Sequence, residues 1–197
     1  MLPIPHASQA VAKIVGIDPG TETLGISTLS FNVDTFEIVE CTANTYVGSK
    51  LLGSDWSGAI HGHRHRRIEA HYHNLLSILT TEQPLIIASE APFILMRRPQ
   101  AYGALMEIVS ALKAAVQCYD QWRPLYMLPP STVKQAVKAK GNADKHQVKK
   151  SILEIKELVD TAITPIEEMD EHSIDSLAVA YCILQLFRES KIEPLHI

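Results

Sequence analysis

The stretch that decides the fold is Lys13-Ile14-Val15-Gly16-Ile17-Asp18-Pro19-Gly20-Thr21. Its first five residues are rich in β-branched side chains, which predicts a strand, and Pro19-Gly20 ends that strand directly after Asp18. In the centre of a sheet, the Asp18 carboxylate would emerge where other segments can bring further ligands for a hard divalent metal. By itself the motif stays ambiguous, because an acidic residue after a strand is often only a turn former.

The composition is that of a globular protein. The chain has 197 residues, of which 46% are hydrophobic and 20% charged, so it can bury a core, and its length favours one domain over 1–197. Within it, residues 1–11 are expected to form a loose leader and 189–197 a short tail. No apolar run is long enough to span a bilayer and no signal peptide pattern is present. We therefore expect a cytoplasmic protein with no membrane partner.

Charge and cysteine content exclude several classes of protein. A formal net charge of −4 argues against indiscriminate nucleic-acid binding unless positive charge is concentrated in one segment. The three cysteines, Cys41, Cys118 and Cys182, are odd in number and widely spaced. They indicate neither a disulfide framework nor a Cys-x-x-Cys metal site, and we expect them to be reduced.

Periodicity and breaker residues predict an α/β protein that begins with a three-stranded meander. Strands are predicted over Lys13–Asp18, Thr23–Ser30, Phe36–Thr42, Leu85–Glu90 and Pro124–Leu128. Helices are predicted from about Arg64 to Leu79, from Pro99 onward, from about Ala143 to Val159, and from about Glu167 to Arg188. Residues 43–60 are predicted to be a loop.

Four ligand-type side chains are expected to converge. Glu90 ends a second apolar strand and should lie near Asp18, while His172 and Asp175 are three residues apart and share one helix face. Such a set can surround two divalent cations, with Mg²⁺ the natural candidate and Mn²⁺ more tolerant of imidazole. Singly, each residue favours a structural role; together they favour a metal site. Asp170-Glu171 are interpreted as an ordinary acidic first turn of a helix.

A basic segment follows the predicted fifth strand. Between Ser131 and Lys150 there are six lysines and one acid, Asp144, for a local charge of 6 − 1 = +5. They surround a Gly141-Asn142 turn whose amides could hold phosphates. We expect contacts with nucleic-acid phosphates from Lys134, Lys138, Lys140 and Lys145, and a solvated helix face for Lys149 and Lys150.

Two further basic stretches are open to more than one interpretation. Arg97 and Arg98 precede a long helix, where a strand leaving the acidic residues could contact them. The segment His61–Arg67, followed by His71 and His73, is rich in histidine, but its spacing fits no closed zinc site and its arginines would repel a cation. A nucleic-acid-backbone or pH-sensitive surface is one interpretation, and we favour the other, an ordinary exposed helix start.

Several motifs occur in an order that resembles a known family. They are Gly16-Ile17-Asp18-Pro19-Gly20, Ser89-Glu90-Ala91-Pro92-Phe93, Val133-Lys134-Gln135, the stretch 141–148, and Asp175-Ser176-Leu177-Ala178-Val179-Ala180. Over most of its length the chain resembles the RuvC-type Holliday junction resolvases, which are metal-dependent DNA endonucleases. The resemblance implies a ribonuclease H-like fold with a five-stranded mixed sheet, three strands antiparallel and two parallel, flanked by helices.

The resemblance also implies roles for individual residues. Asp18, Glu90 and Asp175 match catalytic metal ligands, with two Mg²⁺ per site and water attacking the scissile phosphodiester. We expect Asp18 to bridge the ions while the other two carboxylates complete their shells. His172 stands where many members carry aspartate, which leaves open whether it binds metal or acts as a general base.

For DNA, the resemblance implies a homodimer that binds a four-way junction and makes two symmetric nicks. Lys134 and Lys145 match family lysines near the scissile phosphate. Phe93 matches an aromatic residue that inserts at the junction centre, where stacking on a base is worth roughly 1–3 kcal/mol. From chemistry alone, Phe93 could equally be an aromatic residue of the core.

Three other functions compete with this interpretation. Asp18-Pro19-Gly20-Thr21 also resembles the first phosphate loop of actin and sugar-kinase folds, but the chain is too short for their second domain and shows no second phosphate loop. A module that binds branched DNA without cutting it is disfavoured, because carboxylates repel phosphates unless metal neutralises them. A nuclease of the same fold that acts on flaps or forks stays open.

Overall fold

The structure is a computed structural model of the chain. It describes residues 11–52, 58–93, 99–141 and 143–189. The strands are β1 Val11–Asp18, β2 Thr23–Asn32, β3 Ile38–Val47, β4 Ile86–Glu90 and β5 Leu125–Leu128. The helices are α1 Gly48–Leu52, α2 Gly58–His61, α3 His63–Glu82, α4 Pro99–Tyr119, α5 Pro130–Ala136, α6 Lys145–Leu153, α7 Lys156–Thr161 and α8 Glu171–Arg188. A single 3₁₀ turn among these elements covers Ile166–Glu168.

The five strands form one sheet in the order β3-β2-β1-β4-β5. β2 is antiparallel to both β1 and β3, whereas β4 is parallel to both β1 and β5. This confirms the predicted α/β fold with a mixed sheet of three antiparallel strands and two parallel ones. Ile17 pairs with Ser89, so Asp18 and Glu90 end neighbouring parallel strands at the same edge.

Both faces of the sheet are covered by helices. Successive side chains of β1 point to opposite faces, and both sets are apolar, so each face needs a covering layer. Ile14 packs into a core with residues of α5, α6, α7 and α8, and Val15 and Ile17 pack into a second core with residues of α3 and α4. All three side chains are fully buried. The central strand is therefore held from two sides, which fixes the direction in which its last residue points.

Helix α8 lies unusually close to the sheet because small residues face it. A Cβ at Gly16 would stand 2.4 Å from the carbonyl oxygen of Ser176, and one at Gly25 would stand 2.1 Å from that of His172. The hydroxyl of Ser27 donates a hydrogen bond of 2.7 Å to the same Ser176 oxygen. The backbone of α8 therefore packs directly on β1 and β2, which brings its first turn beside the end of β1.

The predicted loop over 43–60 is wrong at its start. β3 continues through Val47 and is followed at once by α1. The added strand residues stay in register with β2, Thr45 opposite Gly25, and the Thr45 hydroxyl also donates to Asp170 at 2.5 Å. Thr45 is thus held by its backbone pairing with β2 and by its side-chain bond to Asp170, which lies outside the sheet. Residues 53–57 lie outside the described part of the chain.

The predicted helix from Ala143 to Val159 is two helices. α6 begins at Lys145 because Asp144 caps it, accepting a hydrogen bond from the backbone of Gln147 while the Gln147 side chain pairs with the Asp144 backbone. The chain then leaves the helical conformation at Ile155 and restarts as α7. The break lets both short helices bury a residue, Ile152 and Leu158, in the same core.

Two other helix boundaries differ from prediction. α5 was missed, although Pro130 at its first turn is a recognised start signal. α8 begins at Glu171 rather than about Glu167, because the Asp170 side chain accepts from the Ser173 backbone and caps the helix there. β1 begins at Val11, two residues before the predicted strand start at Lys13.

The three cysteines form no disulfide. Cys41, Cys118 and Cys182 are all free, the first and last buried and Cys118 exposed. In the described ranges, no helix is long and apolar enough to cross a membrane.

Replacing Gly16 by alanine should lower the free energy of unfolding by about 1–3 kcal/mol, because the new methyl group would overlap backbone atoms of α8. Urea unfolding followed by circular dichroism measures the change. Gly103→Ala is the matched control: Gly103 is exposed within α4 and a Cβ there meets nothing within 4 Å. The control should gain up to about 1 kcal/mol. Equal stability of the two variants would contradict the close packing of α8.

Candidate active site at the carboxyl ends of the central strands

The four predicted acidic and histidine residues line one pocket of about 310 Å³. Asp18 comes from the end of β1, Glu90 from the end of β4, and His172 and Asp175 from the first turns of α8. We call this the acidic pocket. The other residues that line it are Pro19, Ala91, Phe93, Leu105, Pro130, Lys134, Ala143, Lys145 and Val148.

Asp18 and His172 are in direct contact within the pocket. The Asp18 Oδ2 and His172 Nδ1 atoms are 2.7 Å apart, and the two side chains keep only 13% and 25% of their surface exposed. The hydrogen bond to Asp18 raises the pKa of His172 above its usual value, against the opposing effect of burial. The second ring nitrogen, Nε2, lies 2.8 Å from Thr23 Oγ1.

In the other two carboxyl groups of the pocket, those of Glu90 and Asp175, the surroundings disfavour the negatively charged form. Burial, followed by the nearby Asp18 and Asp175 carboxylates, raises the pKa of Glu90 to about 7. Burial and Asp18 likewise raise the pKa of Asp175 to about 6. Shifts of this kind arise where like charges are crowded in a poorly solvated site. A bound cation would relieve both effects.

Two of the four predicted DNA-binding lysines reach the acidic pocket. Lys134 donates from Nζ to the carbonyl oxygen of Ala143 at 2.8 Å, and Lys145 forms an ion pair of 2.8 Å with Glu171. Both lysines lower the pKa of Glu90, which places their charge close to the carboxylates. The two lysines therefore offset part of the negative charge, and the pocket contains both negative and positive side chains.

The other two predicted DNA-binding lysines lie outside the acidic pocket. Lys138 is exposed and lines a separate groove with Glu157 and Arg188, and Lys140 is exposed outside the pocket. The structure thus does not bring these two lysines to the carboxylates. Phe93 does reach the pocket and remains 48% exposed, so it is not a core aromatic residue. Arg97 and Arg98, like Asn142 of the glycine turn, lie outside the described residues.

The histidine- and arginine-rich segment begins at the last residue of α2, His61, and continues into the first turns of α3, which agrees with its interpretation as a helix start. Its arginines pair with carboxylates rather than forming a free basic surface: Arg64 with Glu107, Arg66 with Glu69, and Arg67 with Glu22. His71 is fully buried in the fold. The ion pairs neutralise much of the charge that a DNA-backbone surface would need.

The donor set of the acidic pocket suits a hard divalent cation. Three carboxylates and one imidazole offer oxygen and nitrogen ligands of the kind that Mg²⁺ and Mn²⁺ accept. In the described ranges, no group of three or more His, Cys, Asp or Glu side chains already stands in an arrangement that could hold a metal ion. One reason is visible, since Asp18 Oδ2 is engaged by His172. Binding would require these side chains to turn from one another toward the ion.

Sequence reasoning missed two residues that contact the site. Thr23, the first residue of β2, pairs with His172, and Glu171, interpreted only as part of an acidic first turn, pairs with Lys145. The alternation of β2 could have indicated the first contact, since Thr23 and Gly25 share a face. The second depends on how α6 and α8 meet, which no local pattern predicts.

Comparison with known proteins finds one family model, described as "Crossover junction endodeoxyribonuclease RuvC", that matches residues 14–183. A protein of that name from Desulfitobacterium hafniense (strain DSM 10664 / DCB-2) is 28% identical over 174 residues, covering 86% of this chain and 90% of its own length. Another from Geotalea uraniireducens (strain Rf4) is 29% identical over 180 residues, covering 86% of each chain.

Among solved structures, that of Thermus thermophilus RuvC superposes with a TM-score of 0.65 at 22% identity, covering 93% of this chain and 99% of the other. The same protein in complex with Holliday junction substrate gives a TM-score of 0.65 at 19% identity, with the same coverage. At these identities the superpositions bear on the fold alone. The fold they support is the ribonuclease H-like one expected from the sequence.

Replacing Glu90 by glutamine should stabilise the metal-free protein at about pH 8 by about 1–3 kcal/mol. An acid whose folded pKa is raised destabilises the fold progressively as the pH rises from about 4.5, the ordinary value, to about 7, and the cost stays constant above that. The gain should vanish near pH 4, where the carboxyl is neutral in both states. Urea unfolding in a chelating buffer at the two pH values measures it.

The control for this measurement is Glu154→Gln. Glu154 is exposed at the end of α6, where loss of one charge should change stability by less than about 0.5 kcal/mol at either pH. A Glu90→Gln variant no more stable than wild type at the higher pH would contradict the crowding of charge in the acidic pocket.

Proposed function

The chain belongs to the RuvC family of crossover junction endodeoxyribonucleases, and from that premise we propose that it resolves four-way (Holliday) DNA junctions by metal-dependent hydrolysis of a phosphodiester. The observation that supports this most is the convergence of Asp18, Glu90, His172 and Asp175 on one pocket that also holds Lys134 and Lys145. Carboxylates that bind metal, beside cations that bind phosphate, form a site suited to cutting nucleic acid.

The proposed cofactor is Mg²⁺, two per site, with Mn²⁺ able to substitute. When bound, such ions stabilise the charge on the attacking and leaving oxygens of a phosphodiester. Asp18, Glu90 and Asp175 would hold them, and the charge crowding that raises the pKa of Glu90 and Asp175 is the cost that ion binding removes. His172 would serve either as a further ligand or as the base that accepts a proton from water.

Binding of the DNA is assigned to residues around the pocket. Lys134 and Lys145 would contact the phosphate that is cut, because they are the lysines that line the acidic pocket. Phe93, with its exposed ring at the same pocket, would stack on a base opened at the junction. The exposed Lys138 and Lys140 would contact the DNA backbone outside the acidic pocket. Arg97 and Arg98 are proposed as further DNA contacts.

We propose that the protein acts as a homodimer. Two symmetric nicks in one junction need two equivalent sites, and the described part of each chain supplies one acidic pocket. A twofold dimer is the commonest way to present two identical sites to a symmetric substrate. We also propose that residues 1–197 form one nuclease domain, which acts on DNA in the cytoplasm.

Replacing Asp18 by asparagine should abolish cutting and preserve binding. The amide keeps the size of the side chain but removes the charge needed to hold a cation, so the cutting rate should fall by at least about a hundredfold. Affinity for the junction should be equal or slightly higher, because one carboxylate no longer repels phosphate. Gel-based cleavage and equilibrium binding on the same labelled junction measure both.

The substrate panel for this experiment comprises a four-way junction, a fork and a linear duplex, each with Mg²⁺, with Mn²⁺ and with chelator. Paired nicks on the junction alone would support the proposed resolvase activity. Faster cutting of the fork would instead indicate a nuclease that acts more broadly on branched DNA. If the wild type binds the junction but does not cut it with either metal, the protein binds branched DNA without cleaving it. Undiminished cutting by the Asp18 variant would refute the assigned site.

A further inference from the structure

Both nitrogens of the His172 ring have a partner in the structure. Nδ1 lies 2.7 Å from Asp18 Oδ2, and Nε2 lies 2.8 Å from Thr23 Oγ1. The ring lies between the end of β1 and the start of β2, and only a quarter of the His172 side chain is exposed. An imidazole held at both nitrogens has one orientation available, so Thr23 helps to decide where His172 points.

The chemistry of the two partners assigns the hydrogens. An ionised carboxylate only accepts hydrogen bonds, so the His172 Nδ1 must donate to Asp18. In the neutral ring, Nε2 then bears a lone pair and accepts from the hydroxyl of Thr23. If the ring is protonated, the same hydroxyl accepts from Nε2 instead. Because a hydroxyl can play either part, Thr23 serves both forms of His172.

The position of Thr23 is set by the backbone. Thr23, Gly25 and Ser27 alternate along β2 on the face turned to α8, and all three meet that helix. A Cβ at Gly25 would stand 2.1 Å from the His172 carbonyl oxygen, so the backbones of β2 and α8 nearly touch two residues beyond the Thr23 contact. Any movement of the hydroxyl relative to the ring is therefore limited by packed main chain.

Glu171 is the other group near Nε2, and it is a weaker candidate for holding the ring. Its Oε1 atom is 3.5 Å from Nε2, beyond the usual hydrogen-bond range, and is engaged by Lys145 at 2.8 Å. About half of the Glu171 side chain is exposed. The closer and more confined partner of Nε2 is therefore Thr23.

We propose that Thr23 is a positioning residue for His172: its hydroxyl pairs with Nε2 and fixes the ring with Nδ1 toward Asp18. The inference rests on the proposed function, since it supposes that His172 works as ligand or base in the acidic pocket. Groups that orient such a side chain through a hydrogen bond are a recurrent part of metal and acid–base sites. With Nε2 held by Thr23, Nδ1 is the nitrogen turned toward the acidic pocket, and it becomes available there once Asp18 turns to an ion. A mobile ring would present Nδ1 to the pocket only part of the time.

The test compares Thr23→Val, which removes the hydroxyl at nearly constant size, with Thr23→Ser, which keeps it. Thr28→Val is the matched control, because Thr28 lies on the same strand and, by alternation, on the opposite face. Three quantities are measured for each protein: the ¹⁵N ring resonances of His172 without metal, junction cutting at saturating substrate with Mg²⁺, and the midpoint of urea unfolding. His172→Gln identifies the resonances.

In Thr23→Val, the Nε2 resonance should move toward that of an imidazole nitrogen with no hydrogen bond, while Nδ1 stays protonated. Cutting should slow by about ten- to a hundredfold in kcat, the loss typical when an orienting partner is removed. Binding of the junction and the unfolding midpoint should stay at wild-type values. Thr23→Ser should restore both the resonance and the rate, and Thr28→Val should match wild type throughout.

Unchanged His172 resonances in Thr23→Val would overturn the inference, and so would a loss of rate that Thr23→Ser does not restore. A Glu171→Gln variant that moves the Nε2 resonance more than Thr23→Val does would assign the role to Glu171 instead. Failure of the proposed function is distinguishable: wild type would then cut no junction, whereas the resonances, recorded without metal or DNA, would still report on Thr23.

Discussion

The close packing of the α8 backbone on β1 and β2 is the constraint on which the rest of the structure depends. Gly16 and Gly25 leave no room for a Cβ between sheet and helix, and Ser27 bonds to a carbonyl of α8. Because the helix lies this close, its first turns meet the ends of β1 and β4. His172 contacts Asp18 for this reason, and Asp175 shares the pocket with Glu90.

That packing has an electrostatic cost. It buries three carboxyl groups together, and the fold tolerates them through the lysines at the pocket, through His172, and through the raised pKa of Glu90 and Asp175. Sites that bind metal commonly sacrifice stability in this way, because the charge that destabilises the empty fold is what attracts the ion. Under the proposed function, the same charges that weaken the apo protein enable it to bind cations.

Much of this arrangement is predictable from local patterns. An apolar run that ends in a carboxylate predicts a strand with an acidic residue at its carboxyl end, so Asp18 and Glu90 could be placed at one edge of the sheet. The three-residue spacing of His172 and Asp175 predicts that they share a helix face. Less predictable were features set by tertiary contact: the break at Ile155 that gives two helices a place in one core, and the pairing of Thr23 with His172. Charge runs were the weakest guide, since the arginines of α3 found carboxylate partners that are distant in sequence, among them Glu22 and Glu107.

The central claim is that side chains from β1, β4 and α8 form one cation site. Anomalous diffraction from crystals soaked in Mn²⁺ tests it most directly, because the signal locates the ion without reference to activity. The account predicts a peak within coordination distance of Asp18 and of at least one of Glu90 and Asp175, with Asp18 turned from its hydrogen bond to His172. A fully ordered pocket that shows no peak at saturating Mn²⁺, with the Asp18–His172 contact intact, would contradict it.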